Sequence, residues 1–152
     1  MSLSSVMDEM VLYMKERPAR EYEIIIGCDS SATEDPTFPV AIVILRKGEG
    51  GRFFLRRIHY PRKFYSRQER ILEEVMLSCR LALWLREHFA MRAQQENNPP
   101  KYQFQYIHAD VGENGITKDM VKEVVGLIRG NGFEPCIKPA SFAASSVADR
   151  YS

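Results

Sequence analysis

Cysteines are few. The three present, Cys28, Cys79 and Cys136, are odd in number and widely spaced, which excludes a disulfide framework and offers no zinc-ligand spacing. Set among apolar neighbours, they are expected as free core thiols. Long hydrophobic runs are also missing: the run Pro39 to Leu45 is far shorter than the roughly 20 residues needed to cross a bilayer. Asp8, Glu9, Lys15 and Glu16 interrupt the apolar residues near the start, so no secretory leader is read there, and a cytoplasmic protein with no membrane partner is expected. Neither sign of charge is in excess. The 21 basic and 20 acidic residues leave a net charge of +1, which excludes a uniformly basic coat for nucleic acid. No internal repeat or low-complexity tract is visible.

What is present suits one globular domain, residues 1–152, with 45% apolar residues to fill a core. Val6, Met7, Met10, Val11 and Met14 recur at helical spacing before Pro18, predicting an amphipathic helix from about Ser4 to Arg17 as an N-terminal extension over residues 1–18. Strands are expected at Glu21 to Cys28, Val40 to Arg46 and Arg52 to Tyr60. Pro36 and Pro39 bracket the first connection, and the glycine-rich Lys47 to Gly51 turns the second. Ser66 can cap a long helix reaching about Arg92, with Ile71, Leu72, Val75, Met76, Cys79, Ala82, Leu83 and Phe89 as its apolar stripe. After the polar loop Gln94 to Lys101 come a strand at Tyr102 to Asp110, a helix at Thr117 to Arg129, a strand at Glu134 to Lys138 and a last helix from Ser141. This order predicts an α/β fold. Its sheet is five-stranded and mixed, an antiparallel three-strand meander joined by two parallel strands and flanked by helices.

Acidic residues fall at the ends of these elements: Asp29 after the first strand, Glu73 and Glu74 early in the long helix, Asp110 closing the fourth strand and Asp149 in the last helix. Each alone also fits a turn, a helix N-terminus or a solvated surface. Topology raises their joint interest. If the first and fourth strands are neighbours, Asp29 and Asp110 end side by side, and adjacent carboxylates need a cation, an Arg or a Lys between them. Two-metal phosphodiester hydrolysis needs about four such hard oxygen ligands.

The element order and the four acidic positions resemble the ribonuclease H-like fold. More narrowly, GCDSS at 27–31, HADVG at 108–112, VKEVVGLIRGNGFEPCIKP at 121–139 and FAASSVADRY at 142–151 resemble the YkuK-type family of uncharacterised bacterial proteins. The resemblance implies Asp29 and Asp110 as central metal ligands, Glu74 as the helix carboxylate with Glu73 as its substitute, and Asp149 as the fourth ligand. The implied cofactors are two Mg or Mn ions, and the implied activity is a metal-dependent nuclease acting on RNA, DNA or their hybrid. The competing expectation is a catalytically silent module of the same fold that binds nucleic acid or a protein partner.

His108 shares a strand face with Asp110 by the period of two and suits either a substrate contact or a structural hydrogen bond. Lys138, before Pro139, suits either phosphate binding or plain surface. The near-zero net charge hides an asymmetry. Residues 46–70 hold nine Lys or Arg against two Glu, a local +7, leaving 12 basic and 18 acidic residues, or −6, elsewhere. Arg52, Arg56, Arg57, Arg62, Lys63 and Arg67, interleaved with Phe53, Phe54, Tyr60 and Tyr65, form either a phosphate-binding patch or a solvated face. The Met-rich N-terminal helix is a further candidate surface for a homodimer.

Overall fold

The computed structural model describes residues 2–28, 37–59, 66–109 and 118–137. In chain order these form α1 (Leu3–Glu16), β1 (Tyr22–Cys28), β2 (Thr37–Arg46), β3 (Gly50–His59), α2 (Arg67–Gln94), β4 (Tyr102–Ala109), α3 (Lys118–Gly130) and β5 (Glu134–Ile137). The strands make one sheet in the order β3-β2-β1-β4-β5. β1, β2 and β3 pair as an antiparallel meander, while β4 joins β1 and β5 joins β4 in parallel. The mixed five-stranded sheet expected from the element order is therefore the observed one. The last helix expected from Ser141 lies outside the described residues.

Local chemistry explains the element starts. Ser2 caps α1 by accepting the Ser5 amide at 3.1 Å, and Ser66 caps α2 by accepting that of Glu69 at 3.0 Å, so each satisfies a backbone donor the helix leaves free. The β2–β3 hairpin turns on Gly48 and Gly50, whose φ values of 85° and 87° lie in the left-handed region that side chains with a Cβ resist. One boundary differs from expectation. Pro39 lies inside β2 rather than at the edge of a loop, opposite Arg57 of β3. The described pairing of β2 with β1 ends at Val40, so Pro39 occupies a locally one-sided stretch where a missing N–H is tolerated.

The principal core lies on one face of the sheet, where Ile24, Ile26, Ile42, Ile44, Phe104 and Ile107 meet apolar residues of all three described helices. Ile25, Ala41 and Val43 form a smaller cluster on the reverse face. Val6, Met10, Val11 and Met14 of α1 are buried in the principal core, each apolar side chain of this size contributing roughly 1.5–3 kcal/mol on burial. The methionines Met10 and Met14 are thus used within their own chain. Along α2, Leu85 is fully buried whereas Leu83, expected in the stripe, is 36% exposed. At 100° per residue Leu85 shares the meridian of Ile71, Ala82 and Phe89, and Leu83 falls on the far side.

Arg46 ties α1 to the hairpin. Its guanidinium donates to the Tyr13 carbonyl oxygen at 2.8 Å, the Glu16 carboxylate at 3.2 Å, the Tyr22 hydroxyl at 3.2 Å and Glu49 at 3.4 Å, and it lies 4.1 Å from the centre of the Tyr13 ring. The Tyr22 hydroxyl in turn donates toward the carbonyl oxygens of Met14 and Arg17 at 3.1 and 2.9 Å. A buried cation needs such a set of acceptors.

Candidate functional site

The parallel ladder between β1 and β4 begins with Tyr22 opposite Tyr102 and slips once. Ile24 faces Phe104, but Ile25 faces Tyr106, leaving Gln105 as an extra residue on β4. Because of that slip Phe104 and Ile107, three residues apart, both face the principal core, and the ladder ends with Cys28 opposite Ala109. An unbroken register would have set Cys28 against His108.

That last pair belongs to a row crossing the whole sheet. Arg56 faces Val40, Val40 faces Cys28, Cys28 faces Ala109 and Ala109 faces Ile137. In the sequence the residues following Arg56, Cys28, Ala109 and Ile137 are Arg57, Asp29, Asp110 and Lys138. Arg57 is the next residue of edge strand β3, opposite Pro39. Asp29, Asp110 and Lys138 lie outside the described residues, as do Asp149, Arg62 and Lys63 and the side chains of Arg56 and Arg57.

Glu74 approaches the sheet from helix α2. Helix α2 packs on β1 and β4, and the Phe89 ring meets the Tyr102 ring at 4.9 Å, so the later half of α2 covers the starts of those strands. The 15 residues from Phe89 back to Glu74 span about 22 Å of helix at 1.5 Å each. The six steps from Tyr22 to Cys28 span about 20 Å of strand. Run straight back along β1, that length of helix would carry Glu74 toward the Cys28 end of the strand. Glu74 is 5% exposed, whereas Glu73 is half-buried, and the neighbours of Glu74 in the folded chain engage it.

Arg70, counted in the basic segment 46–70, is only 5% exposed. Arg70, Glu74 and Ser78, at steps of four, form a polar row on the buried side of α2, Ser78 being 1% exposed. The spacing was readable in the sequence; the burial was not, because Arg70 flanks a strongly charged segment. His108 is also buried, opposite Gly27, and lies between Ile107 and Ala109, which face the principal core. By strand alternation it belongs to the reverse face, so His108 and Glu74 occupy opposite faces of the sheet.

The basic segment 46–70 is less open than its charge count suggests. Arg46 and Arg70 are buried, Lys47 pairs with Glu21 at 3.3 Å, and Arg52 pairs with Glu9 at 3.2 Å while lying over the Phe54 ring. Phe54 itself is a core residue. The other five basic side chains, those of Arg56, Arg57, Arg62, Lys63 and Arg67, lie outside the described set.

Among the described residues no three His, Cys, Asp or Glu side chains cluster as metal ligands, and of the four expected carboxylates only Glu74 is described. The thiols fit inert roles: Cys79 and Cys136 are free, and burial pushes Cys79 up to about 11. A cavity of about 200 Å³ lined by Glu21, Tyr22, Lys47, Lys101, Tyr102 and Gln103 opens at the opposite edge, where β1 and β4 begin. No helix among the described residues is long and apolar enough to cross a membrane.

Comparison with known proteins agrees with the topology. The chain is 30% identical over 157 residues to the uncharacterised protein YkuK of Bacillus subtilis (strain 168), an alignment covering 99% of this chain and 91% of that protein. The family model described as ribonuclease H-like matches residues 5–152. A meander followed by two parallel crossover strands, matched along nearly its whole length, places this chain in the ribonuclease H-like family.

Proposed function

We propose that this protein is a metal-dependent nuclease whose site lies where β1, β4 and α2 meet. The observation that carries the reading is the cross-sheet row ending β1 at Cys28 and β4 at Ala109, each followed in sequence by an aspartate. Strands in register stand about 4.8 Å apart, a spacing suited to two carboxylates sharing divalent cations roughly 4 Å apart. The buried Glu74, early in the helix that packs on β1 and β4, supports a third oxygen donor.

In this reading Asp29, Glu74, Asp110 and Asp149 would hold two Mg or Mn ions. When bound, such ions supply water activation and charge stabilisation at the scissile phosphate. The chain's own basic residues would hold the nucleic-acid backbone. Arg56 and Arg57 stand on edge strand β3, at positions level with the same sheet end, and Arg62, Lys63 and Lys138 complete the proposed phosphate contacts. His108, buried on the face opposite Glu74, takes the structural role in this reading rather than a substrate contact. A bound phosphate backbone makes affinity fall steeply with salt.

Labelled DNA, RNA and hybrid duplexes incubated with Mg or Mn test the reading. The wild type should cleave at least one substrate, and Asp29→Asn and Asp110→Asn should not. Absence of metal-dependent cleavage by the wild type rejects the nuclease. A second reading, a silent module that binds nucleic acid or protein, is favoured by the burial of Arg70 four residues before Glu74, since a resident cation beside a carboxylate can take a metal's place. Salt-dependent binding of the same substrates without cleavage would select it.

A further inference from the structure

The outward face of α2 carries a stripe that the nuclease reading does not use. Leu83 and Trp84 are 36% and 37% exposed and Met91 is 59% exposed. Arg80 and Glu87 are exposed beside them, and Met76 is half-buried. At 100° per residue these six positions fall within about one 100° arc, opposite the core-facing meridian of Ile71, Leu85 and Phe89. The Trp84 indole stacks on His88 at 4.0 Å, which shields one ring face. Leu12, 56% exposed, lies on α1 between Asp8 and Lys15, which clasp Arg92 and Glu96 near the end of α2.

The alternation of apolar and charged positions in the stripe is symmetric about its centre, with opposite charges at Arg80 and Glu87. Two antiparallel copies of α2 related by a two-fold axis between Leu83 and Trp84 bring Leu83 level with Trp84, Arg80 level with Glu87, and Met76 level with Met91. Apolar groups meet apolar groups at the centre and at both ends, and each Arg80 meets an opposite charge. Among the described residues neither Arg80 nor Glu87 has an intrachain ion pair. A parallel pairing would instead set Arg80 against Arg80.

We infer that the exposed face of α2 is a homodimer interface, formed by antiparallel packing of Met76, Arg80, Leu83, Trp84, Glu87 and Met91 against the same residues of a second copy. The partner is a second copy rather than another protein because the charges and apolar groups of the stripe complement themselves under one two-fold axis, as an isologous interface requires. The inference is independent of the nuclease reading.

Sedimentation of the full-length chain across a concentration series tests it. The wild type should dimerise, Arg80→Glu and Glu87→Arg should each weaken the dimer by about tenfold or more, and the double swap should restore most of that loss. Leu83→Glu should give a folded monomer by circular dichroism. Trp84 is the single tryptophan of the chain, so its emission should shift to the red as the protein is diluted. A wild type that stays monomeric at high concentration overturns the inference, as does a double swap no better than the single ones. A monomer whose Trp84 emission responds to single-stranded oligonucleotide also overturns it, and assigns the stripe to nucleic acid.

Discussion

Cys28 and Ala109 face each other as the last described pair of the parallel β1–β4 ladder, and they do so because β4 carries one residue more than β1 between the first pair and the last. That extra residue, Gln105, sets which residues of the two strands end level.

Deleting Ile107 should therefore be far more damaging than deleting Gln105. Without Gln105 the remaining residues still pair as Phe104 with Ile24, Tyr106 with Ile25 and Ile107 with Ile26, whereas without Ile107 either Tyr106 or His108 must take its fully buried core position. A loss of about 3 kcal/mol or more is expected for the Ile107 deletion by urea denaturation, whereas Gln105→Ser at this exposed position should be nearly silent. Equal stability of the Ile107 deletion and the wild type would contradict the described register.

Arg46 should resist conservative exchange. Its planar fork reaches Tyr13, Tyr22, Glu16 and Glu49 at once, a pattern the single ammonium of lysine does not reproduce. Thermal melts should rank wild type above Arg46→Lys and Arg46→Lys above Arg46→Ala, with Lys47→Ala close to wild type because Lys47 makes one exposed pair with Glu21.

The clasp between α1 and α2 should respond to acid. Lys15 at 2.6 Å and Arg92 at 2.8 Å hold the Glu96 carboxyl below its ordinary 4.5 by hydrogen bonding and charge. A carboxyl depressed in the folded chain stabilises it at neutral pH, and that contribution fades as pH falls from the ordinary value through the depressed one. The melting difference between wild type and Glu96→Gln should be present at pH 7 and shrink steadily below pH 4.5. A difference that grows in acid would contradict the pairing.

Cys79 should be chemically silent in the native protein. Its thiol is buried, free and raised to about 11, so at pH 8 little thiolate forms and alkylating reagents lack access. Mass spectrometry after brief iodoacetamide treatment should find Cys136, which is half-buried, modified ahead of Cys79, with Cys79 reacting fully only in denaturant. Rapid native labelling of Cys79 would contradict its placement.

Much of the architecture was legible in the residues. Strand alternation, the turn at Lys47 to Gly51 and the cap at Ser66 predict the meander and α2, and the acidic positions at element ends direct attention to one edge of the sheet. Less legible were features that depend on partners far away in sequence. The β4 bulge shows only as the spacing of three between Phe104 and Ile107, which a period-two reading passes over. Arg46 and Arg70 count as surface charge until tertiary contacts bury them, and Pro39 reads as a loop residue until the one-sided pairing of that end of β2 is known. Of the candidate ligands, Glu74 is the one whose surroundings are described, and its burial distinguishes it from the half-buried Glu73.

The central claim is that the residues following Cys28 and Ala109 share divalent cations with Glu74. Crystals soaked in Mn and measured for anomalous scattering test it most directly. The account predicts two Mn peaks roughly 4 Å apart between Asp29 and Asp110, with a Glu74 oxygen within coordination distance. Carboxylates closed by salt bridges to arginine or lysine, with no anomalous peak between them, would contradict it.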